Sequence, residues 1–459
     1  MKKMFAVLAA LIMVLSGCSG ETPGNGTEPD DIDIKNERLV KEFTGTVNIF
    51  HRSSDNLLLS AEEGDLFKYY EIDIGTAEVR ESKLTEMADR YFYYEPIGNK
   101  GFIAVEDTDY KNTLKFIEKD GTEHVIAEDM GPADAINISI SPNAGSVAYT
   151  SLLEGNDIYG IYVYDTETFE NKRLINIKSD GFIEGFHYLV NWSPDENNII
   201  INDKYIYDAF SGSKKGELKS AYSQWSPTGS KIAFVLEDES GQWLNAEDYH
   251  MFQGKKVCVY DIFKGSYDEV FEINGDECIF GDITWGGKDR FLAFPGIKAG
   301  DTDIPDWYMR LNYSSVYIVD LEEGGSKRLE TNVDASDGTM IELGNLKFSN
   351  QGNLLSFTVG NYEKSSLHIV NTATLQAESY DNAEYLHWIE GEYYLISAKG
   401  DTMYFCMDNS IIGIDENLQE DVKYTSKSKL DDFYMSEDGR GILIFELQED
   451  IHIARYVGE

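Results

Sequence analysis

Most of the chain consists of short segments in which apolar and polar residues alternate. Residues 161–165 (IYVYD), 257–261 (VCVYD) and 316–320 (VYIVD) are clear examples. A period of two, rich in Val, Ile and Tyr and bounded by turn-forming residues, predicts β-strands with one buried face. No helical period of useful length follows the first twenty residues. The pattern therefore predicts an all-β protein.

A short turn phrase recurs between these strands at intervals of about 45 residues, the period of propeller blades. Its clearest copy is WSPTGSKIAF, which begins at Trp225. Ser accepts backbone hydrogen bonds at the start of such a turn, Pro fixes φ, and Gly takes the left-handed conformation. The other copies begin at Ile140, Trp192, Phe348 and Met435. Each copy predicts a tight hairpin between two strands.

The strand order repeats as well: a strand, the Ser-Pro turn, a second strand, an aromatic strand ending in Asp or Asn, and a polar edge strand. This unit resembles the WD40-like repeat of TolB-type β-propellers, which also occurs in propeller domains of the prolyl oligopeptidase group. The resemblance covers nearly all of residues 37–459. It implies a β-propeller of four-stranded antiparallel blades and says little about function.

The number of blades is less clear from the sequence than the fold. Weaker cycles, with other turn residues, start near Val47, Tyr91, Ile283 and Tyr385. All cycles together number about nine, whereas closed propellers typically have four to eight blades. We predict eight blades, with seven and nine as alternatives. The last cycle, residues 433–457, shows only three strands, and residues 39–43 are predicted to supply the fourth and close the ring.

The first eighteen residues have the features of a bacterial lipoprotein signal peptide. Lys2 and Lys3 precede an apolar stretch at residues 4–14, which is too short for a permanent membrane-spanning helix. The following Leu-Ser-Gly-Cys resembles the lipobox, which implies lipidation of Cys18 and cleavage before it. Residues 19–36 are polar and predict a flexible tether, and residues 37–459 form the predicted propeller.

Charge narrows the possible partners. The chain has 39 basic and 82 acidic residues, a net charge of −43. Loss of Lys2 and Lys3 with the signal peptide leaves 37 basic residues and a net charge of −45. Such a protein repels phosphate backbones and anionic lipid headgroups, so we expect no nucleic-acid partner. Cys258, Cys278 and Cys406 lack metal-ligand spacing and are predicted to be buried apolar residues.

Catalytic chemistry is weakly supported by the sequence. The resemblance to the prolyl oligopeptidase group raises the question of a serine hydrolase domain, whose nucleophilic Ser lies in a Gly-x-Ser-x-Gly turn. No such motif occurs here, and the propeller units continue to the end of the sequence. Three different cycles have a histidine at or beside the innermost strand: His51, His187 and His387. Three imidazoles that converge in the central channel of the propeller could bind a cation, but the pattern favours structural histidines. Asp301, Asp303 and Asp306 alternate as Ca²⁺ ligands do, and residues 106–109 are similarly acidic. Neither segment matches the calcium-binding loop pattern. We expect no cofactor.

Insertions between second and third strands are the most informative irregularity. They occupy residues 239–254, 297–314 and, more briefly, 154–159. All connections of this type emerge on one face of a propeller, and aromatic residues on such loops supply binding energy. The alternative is that they fold back as small satellite cores. The candidate binding residues are Trp243, Tyr249, Phe252, Trp307, Tyr308, Arg310 and Tyr313, with His250 beside them.

These observations predict a lipid-anchored propeller on the extracytoplasmic side of the cell membrane, or on the outer membrane of a Gram-negative cell. Its partners would be the membrane, through the lipid on Cys18, and a protein, peptide or glycan at the cell envelope. The alternative is a propeller-based polysaccharide lyase or hydrolase with a site in the central channel. Clustered histidines would favour the enzyme, and exposed Trp243 and Trp307 the binding module.

Overall fold

The structure, a computed structural model, is composed almost entirely of antiparallel β-sheet. It describes residues 36–458 except 46, 54–55, 64–65, 88–89, 99, 109–110, 131–136, 153–157, 179–189, 247–248, 280, 282, 300–310, 332–341, 361–364, 383–396, 400–401, 408, 437–440 and 449–450. Eight four-stranded antiparallel sheets and one five-stranded sheet form blades in this part, so the protein is a β-propeller with nine blades. This is the upper of the two alternatives to the predicted eight.

Each blade is a meander that runs from the innermost strand outward. Blade 1 is β2 (Val47–Ser53), β3 (Asn56–Glu63), β4 (Leu66–Asp73) and β5 (Val79–Glu81). Blade 2 is β6 (Tyr91–Ile97), β7 (Gly101–Thr108), β8 (Lys111–Glu118) and β9 (Glu123–Ala127). Blade 3 is β10 (Ile138–Ile140), β11 (Ser146–Leu152), β12 (Ile158–Asp165) and β13 (Asn171–Lys178). One short helix, α1 (Leu84–Met87), precedes blade 2.

The next three blades include the insertions. Blade 4 is β14 (Val190–Trp192), β15 (Asn198–Ile201), β16 (Tyr205–Asp208) and β17 (Lys214–Glu217). Blade 5 is β18 (Ser220–Trp225), β19 (Lys231–Leu236), β22 (Lys256–Asp261) and β23 (Ser266–Glu272), with a separate hairpin of β20 (Gln242–Ala246) and β21 (Tyr249–Gln253). Blade 6 is β24 (Glu277–Ile279) and β25 (Thr284–Gly286), both paired with β26 (Phe291–Ala299), then β27 (Leu311–Asp320) and β28 (Gly325–Glu330).

The last three blades complete the ring. Blade 7 is β29 (Glu342–Phe348), β30 (Leu354–Gly360), β31 (Ser365–Asn371) and β32 (Ala377–Asn382). Blade 8 is β33 (Ser397–Lys399), β34 (Thr402–Met407), β35 (Ser410–Ile414) and β36 (Glu420–Thr425). Blade 9 is β37 (Lys429–Met435), β38 (Gly441–Gln448) and β39 (Ile451–Gly458), completed by β1 (Asn36–Thr44).

The predicted closure by the N-terminal strand is confirmed. β1 pairs antiparallel with β39 from Asn36, opposite Gly458, to Thr44, opposite Ile451. Phe43 is fully buried and packs edge to face on Tyr70 of blade 1, with ring centroids 5.4 Å apart. Blade 9 therefore has strands from both ends of the described chain, and it joins blade 1 through a shared apolar core.

Hydrophobic cores lie between every pair of neighbouring blades. In the described part, nine such clusters follow one another round the ring, from blades 1 and 2 to blades 9 and 1. Val, Ile, Leu and Phe side chains dominate them, and each fully buried chain of this size contributes about 1.5–3 kcal/mol. Cys258 and Cys278 are buried, as predicted, and burial raises the pKa of the Cys258 thiol to about 12. Cys406 is only half-buried.

The recurrent Ser-Pro phrase forms the tight turn that its residues predict. Ser226 donates its N–H to the Lys231 carbonyl (2.9 Å), and its Oγ accepts the N–H of Lys231 (3.1 Å). Gly229 closes the turn at φ 72°. The equivalent serines are equally buried: Ser141, Ser193, Ser349 and Ser436. A buried hydroxyl that bonds the backbone across the turn fixes the register of the two inner strands.

Candidate functional site: the loop face of blades 5 and 6

Strand order assigns every connection to one of two faces. Within a blade, the turn between strands one and two lies beside the turn between strands three and four. In blade 5, for example, the Ile262 N–H of the second turn donates to the Ser230 carbonyl of the first (3.1 Å). We call this side the turn face. The connections from strand two to three and from blade to blade form the opposite side, the loop face. The insertions at residues 239–254 and 297–314 therefore share the loop face, as predicted.

The insertion in blade 5 is an ordered hairpin. Its strands β20 and β21 pair antiparallel from Gln242, opposite Gln253, to Ala246, opposite Tyr249. In blade 6, β26 and β27 continue beyond the blade as far as the Ala299–Leu311 pair. Neighbouring blades thus project two adjacent β-hairpins from the same face.

The blade 5 hairpin is fixed to the propeller at its base. Phe252 is 2 % exposed and packs in the core between blades 5 and 6. Gly254 forms a bridge with Ile279 of β24. A Cβ on Gly254 would lie 2.2 Å from a methyl carbon of Val235, so only glycine permits this close approach. The hairpin is therefore mounted rigidly on its blade.

A buried carboxylate supports the same region from below. Glu277, 5 % exposed, accepts hydrogen bonds from Ser315 Oγ (3.1 Å), Tyr317 Oη (2.5 Å) and Arg328 Nη2 (2.7 Å). Burial and the bond to this carboxylate raise the pKa of Tyr317, and Glu277 raises the pKa of Arg328. A buried carboxylate is stable only with such partners. The cluster ties β24 to β27 and β28 beneath the projecting hairpins.

A second acidic group lies at the inner part of the loop face, between blades 4 and 5. Asp203 is in the turn after β15, where Asn202 and Asp203 both have left-handed backbone conformations (φ 50° and 56°). Asp203 accepts a hydrogen bond from Ser223 Oγ of the innermost strand of blade 5 (2.7 Å). Burial raises the pKa of Asp203. Asn202 and Asp203 are the two central residues of a tight hairpin turn, closed by the Lys204 N–H on the Ile201 carbonyl (3.1 Å), and this turn brings the Asp203 carboxyl to blade 5 on the loop face.

The candidate binding residues have different outcomes. For Phe252 the structure supports the satellite-core alternative, because its side chain is buried between blades 5 and 6 and is not available at the surface. Trp243, Tyr249 and His250 lie on the strands of the blade 5 hairpin, and Tyr313 lies on β27. The side chains of these four residues are outside the described part, as are residues Trp307, Tyr308 and Arg310 entirely.

The candidate metal ligands remain untested. Asp301, Asp303, Asp306, His187 and His387 lie outside the described residues, and only the backbone of His51 is described, on β2. Among the side chains that the structure does describe, no group of three or more His, Cys, Asp or Glu residues is arranged to hold a metal ion.

Sequence reasoning did not identify Glu277, Asp203 or Ser223. Asn202 and Asp203 are recognisable as turn residues, but their approach to blade 5 depends on the packing of separate blades. The three-residue strand β24, which provides Glu277, precedes a weak cycle and has no motif of its own. Burial of a carboxylate between strands distant in sequence has no local signature.

The nine sheets and the projecting hairpins define a β-propeller with an elaborated loop face. No known protein-family profile matches the chain. Curated relatives include a probable dipeptidyl peptidase 4 of Neosartorya fischeri and of Aspergillus fumigatus, 24 % identical over 230 residues. The match covers 49 % of this chain and 23 % of the relative, so the chain spans less than a quarter of the length of these relatives.

Solved structures with a similar fold include other propellers. An oligogalacturonate lyase of Vibrio parahaemolyticus has a TM-score of 0.39 and 11 % identity, over 76 % of this chain and 98 % of the lyase. TolB of Acinetobacter baumannii has a TM-score of 0.29 and 15 % identity, over 71 % of this chain and 79 % of TolB. These are similarities of fold, and the description of this chain as a propeller rests on its own nine sheets.

In the described residues, no helix is both long and apolar enough to cross a membrane.

Proposed function

We propose that this protein is a lipoprotein anchored through Cys18 outside the cytoplasm, and that its propeller binds a protein or peptide at the cell envelope. A glycan is the alternative ligand. Two acyl chains on the cysteine would retain the protein on the membrane, whereas one chain alone would allow exchange. The propeller would then act as a rigid binding module that leaves its ligand unchanged.

The observation that carries this proposal is the difference between the two faces. Blades 5 and 6 build hairpins on the loop face, and the base of the blade 5 hairpin is fixed by Phe252 and Gly254. On the turn face, neighbouring inner turns pack against one another; for example, Asn143 N–H donates to a Glu196 carboxylate oxygen (2.5 Å). Rigidly mounted protrusions reduce the entropy lost on binding, which favours a binding surface on the loop face.

A pull-down from envelope extract tests this proposal. The bait is the chain from residue 19, compared with a Trp243→Ala/Trp307→Ala variant. We expect the variant to lose at least about tenfold in recovery of one or more partners, because aromatic anchors dominate binding energy. Phe263→Ala, which removes an exposed aromatic from the turn face, is the matched control and should retain those partners. Equal recovery by all three proteins would contradict binding at the loop face.

An enzyme is the second candidate function. The curated relatives bear the name of a peptidase, one similar solved structure is a lyase, and Asp203 is a half-buried carboxyl with a raised pKa on the loop face. Incubation with dipeptide anilides and with oligogalacturonates, followed by absorbance, distinguishes the two functions. A binding module gives no turnover above the blank. An enzyme that uses Asp203 gives turnover that Asp203→Asn abolishes.

A further inference from the structure

Three consecutive blades expose a phenylalanine on the turn face. These residues are Phe169 of blade 3, Phe210 of blade 4 and Phe263 of blade 5, which are 44 %, 64 % and 87 % exposed. Each lies in the turn between the third and fourth strands, after Asp165, Asp208 and Asp261 respectively. We call these three side chains the phenylalanine arc. Phe169 packs partly on blade 2, whereas Phe210 and Phe263 are more exposed.

The turns hold the arc in place. The N–H of Phe210 donates to Asp208 Oδ1 (3.2 Å), and that of Phe263 donates to Asp261 Oδ1 (2.9 Å). Phe169 has a left-handed conformation (φ 59°) and stacks on His124 of blade 2, with ring centroids 4.1 Å apart. The phenyl rings are therefore carried on fixed turns at the rim.

The corresponding turns of blades 6 and 8 have the same hydrogen bond to the first Asp of the turn and different side chains. Glu322 of blade 6 and Asn417 of blade 8 donate their N–H groups to Asp320 and Asp415 as Phe263 does to Asp261. Their side chains are polar. The turn geometry thus does not require phenylalanine, which makes the arc a feature of blades 3–5.

The charge of these turns also differs between blades 3–5 and blades 6–8. The turns and strand starts of the arc, residues 165–173, 208–216 and 261–269, contain five basic and seven acidic residues. The equivalent segments of blades 6–8, residues 320–328, 371–379 and 415–423, contain three basic and eight acidic residues. The arc is therefore less acidic than the equivalent segments of blades 6–8. The exposed basic side chains around it are Lys172, Arg173, Lys214, Lys215 and Lys264.

The chain enters the propeller on this same face. Asn36, the first residue of β1, pairs with Gly458, which also pairs with Gly441 at the turn-face end of β38. Nearby, Tyr456 Oη donates to the carbonyl of Gly75 (3.2 Å), which is in the turn after β4. A segment that connects Cys18 to β1 therefore reaches the propeller from the turn face.

We propose that the phenylalanine arc is a membrane-contact surface that inserts into the headgroup region of the phospholipid bilayer to which the lipid on Cys18 would tether the protein. The inference deepens the proposed anchoring and gives it an orientation. Exposed rings flanked by Lys and Arg match a bilayer interface, where apolar groups enter the acyl boundary and charged groups remain among the headgroups.

The position of the arc gives a stable orientation. Nine blades are spaced by about 40°, so blades 3–5 lie on the opposite side of the ring from blade 9, where the tether enters. A flexible tether of residues 19–36, as the sequence predicts, would have a root-mean-square length of about 25 Å. With support at two opposite points of one face, the propeller would lie flat and direct the hairpins of blades 5 and 6 away from the bilayer.

Fluorescence on vesicles tests this proposal independently of native lipidation. The chain from residue 19, which keeps all nine blades, is held by an N-terminal His-tag on phosphatidylcholine vesicles that contain a nickel-chelating lipid. An NBD fluorophore is attached at Phe263→Cys in a Cys406→Ser background, since Cys258 and Cys278 are buried. We expect a blue shift, about a twofold rise in NBD intensity, and quenching by a bilayer-resident nitroxide lipid.

The control is Asn417→Cys, which lies in the corresponding, shorter turn of blade 8. It should show no shift, and replacing Phe169 and Phe210 by Ser should reduce the shift at position 263. Equal signals at 263 and 417 would overturn the proposal. A blue shift caused by envelope proteins without vesicles would also overturn it, in favour of a protein partner. Failure of native lipidation affects neither signal, so the two proposals fail separately.

Discussion

At the scale of single residues, two buried glutamates are stabilised by the same chemistry in different blades. Glu446, 3 % exposed, is bonded by Tyr424 Oη (2.9 Å), Ser426 Oγ and Arg455 Nε (2.7 Å), as Glu277 is by Tyr317, Ser315 and Arg328. Burial alone would raise the pKa of Glu446, but these hydrogen bonds outweigh it and hold the pKa below its ordinary value. Each cluster joins strands whose pairing the sequence alone does not specify.

A histidine adds a pH-dependent contact at the ring closure. His452 of β39 lies 3.3 Å from an Asp431 carboxylate oxygen through Nε2, and its Nδ1 is 3.0 Å from the Gly45 carbonyl. The bond with Asp431 raises the pKa of His452 above 6.5. The protonated form is therefore favoured in the folded state. Its stabilising effect is complete below about pH 6.5 and is lost as the pH rises through the raised pKa.

We predict that His452→Gln removes this pH dependence. The wild type should be more stable to unfolding than the variant, and this advantage should be about 0.5–1 kcal/mol larger at about pH 6 than at about pH 9. The effect is modest because Asp431 is partly exposed. Urea denaturation at both pH values measures it. A difference between the two proteins that stays constant with pH would contradict the assignment.

At the scale of elements, β1 is the strand on which closure depends. Phe43 is fully buried in the core of blades 9 and 1, whereas Leu39 on the same strand is 52 % exposed. Phe43→Ala should reduce the free energy of unfolding by about 3–5 kcal/mol through lost burial and a cavity. Leu39→Ala should change it by less than about 0.5 kcal/mol. Denaturant unfolding compares the two variants, and similar effects would show that β1 does not contribute to the core.

The elements also differ in how well the sequence predicts them. Alternating strands, Ser-Pro turns and the closing strand were predictable because their determinants are local: Ser226 and Gly229 specify one hairpin whatever surrounds it. The number of blades was harder, since weak cycles such as those at Tyr91 and Ile283 lack the turn phrase and form sheets through buried alternation alone.

The candidate site was only partly predictable. The sequence placed the insertions on one face, but it did not reveal that residues 242–253 form a hairpin or that Phe252 is buried beneath it. Both depend on contact between blades 5 and 6, through Gly254 and Ile279, and such contact between separate sheets leaves no periodic pattern in the sequence.

At the scale of the whole molecule, the proposed anchor on Cys18 would determine where the propeller functions. Cells that express the full chain should incorporate a labelled fatty acid into it, and Cys18→Ala should abolish incorporation, because the thiol is the proposed site of acylation. Gel fluorescence after growth with an alkyne fatty acid measures this. Cys406→Ala is the control and should remain labelled. Labelling that persists in Cys18→Ala would exclude Cys18 as the acylation site.

The outermost position of β1 in blade 9 determines from which face the chain enters the propeller. Successive strands of a blade alternate in direction, so a first or third strand travels toward the turn face and a second or fourth strand travels away from it. Because β1 is a fourth strand, any leader must arrive on the turn face. A ring that began with an innermost strand would receive its leader on the opposite side. If Cys18 is lipidated as proposed, the parity of this one strand would place the turn face toward the membrane and the loop face away from it.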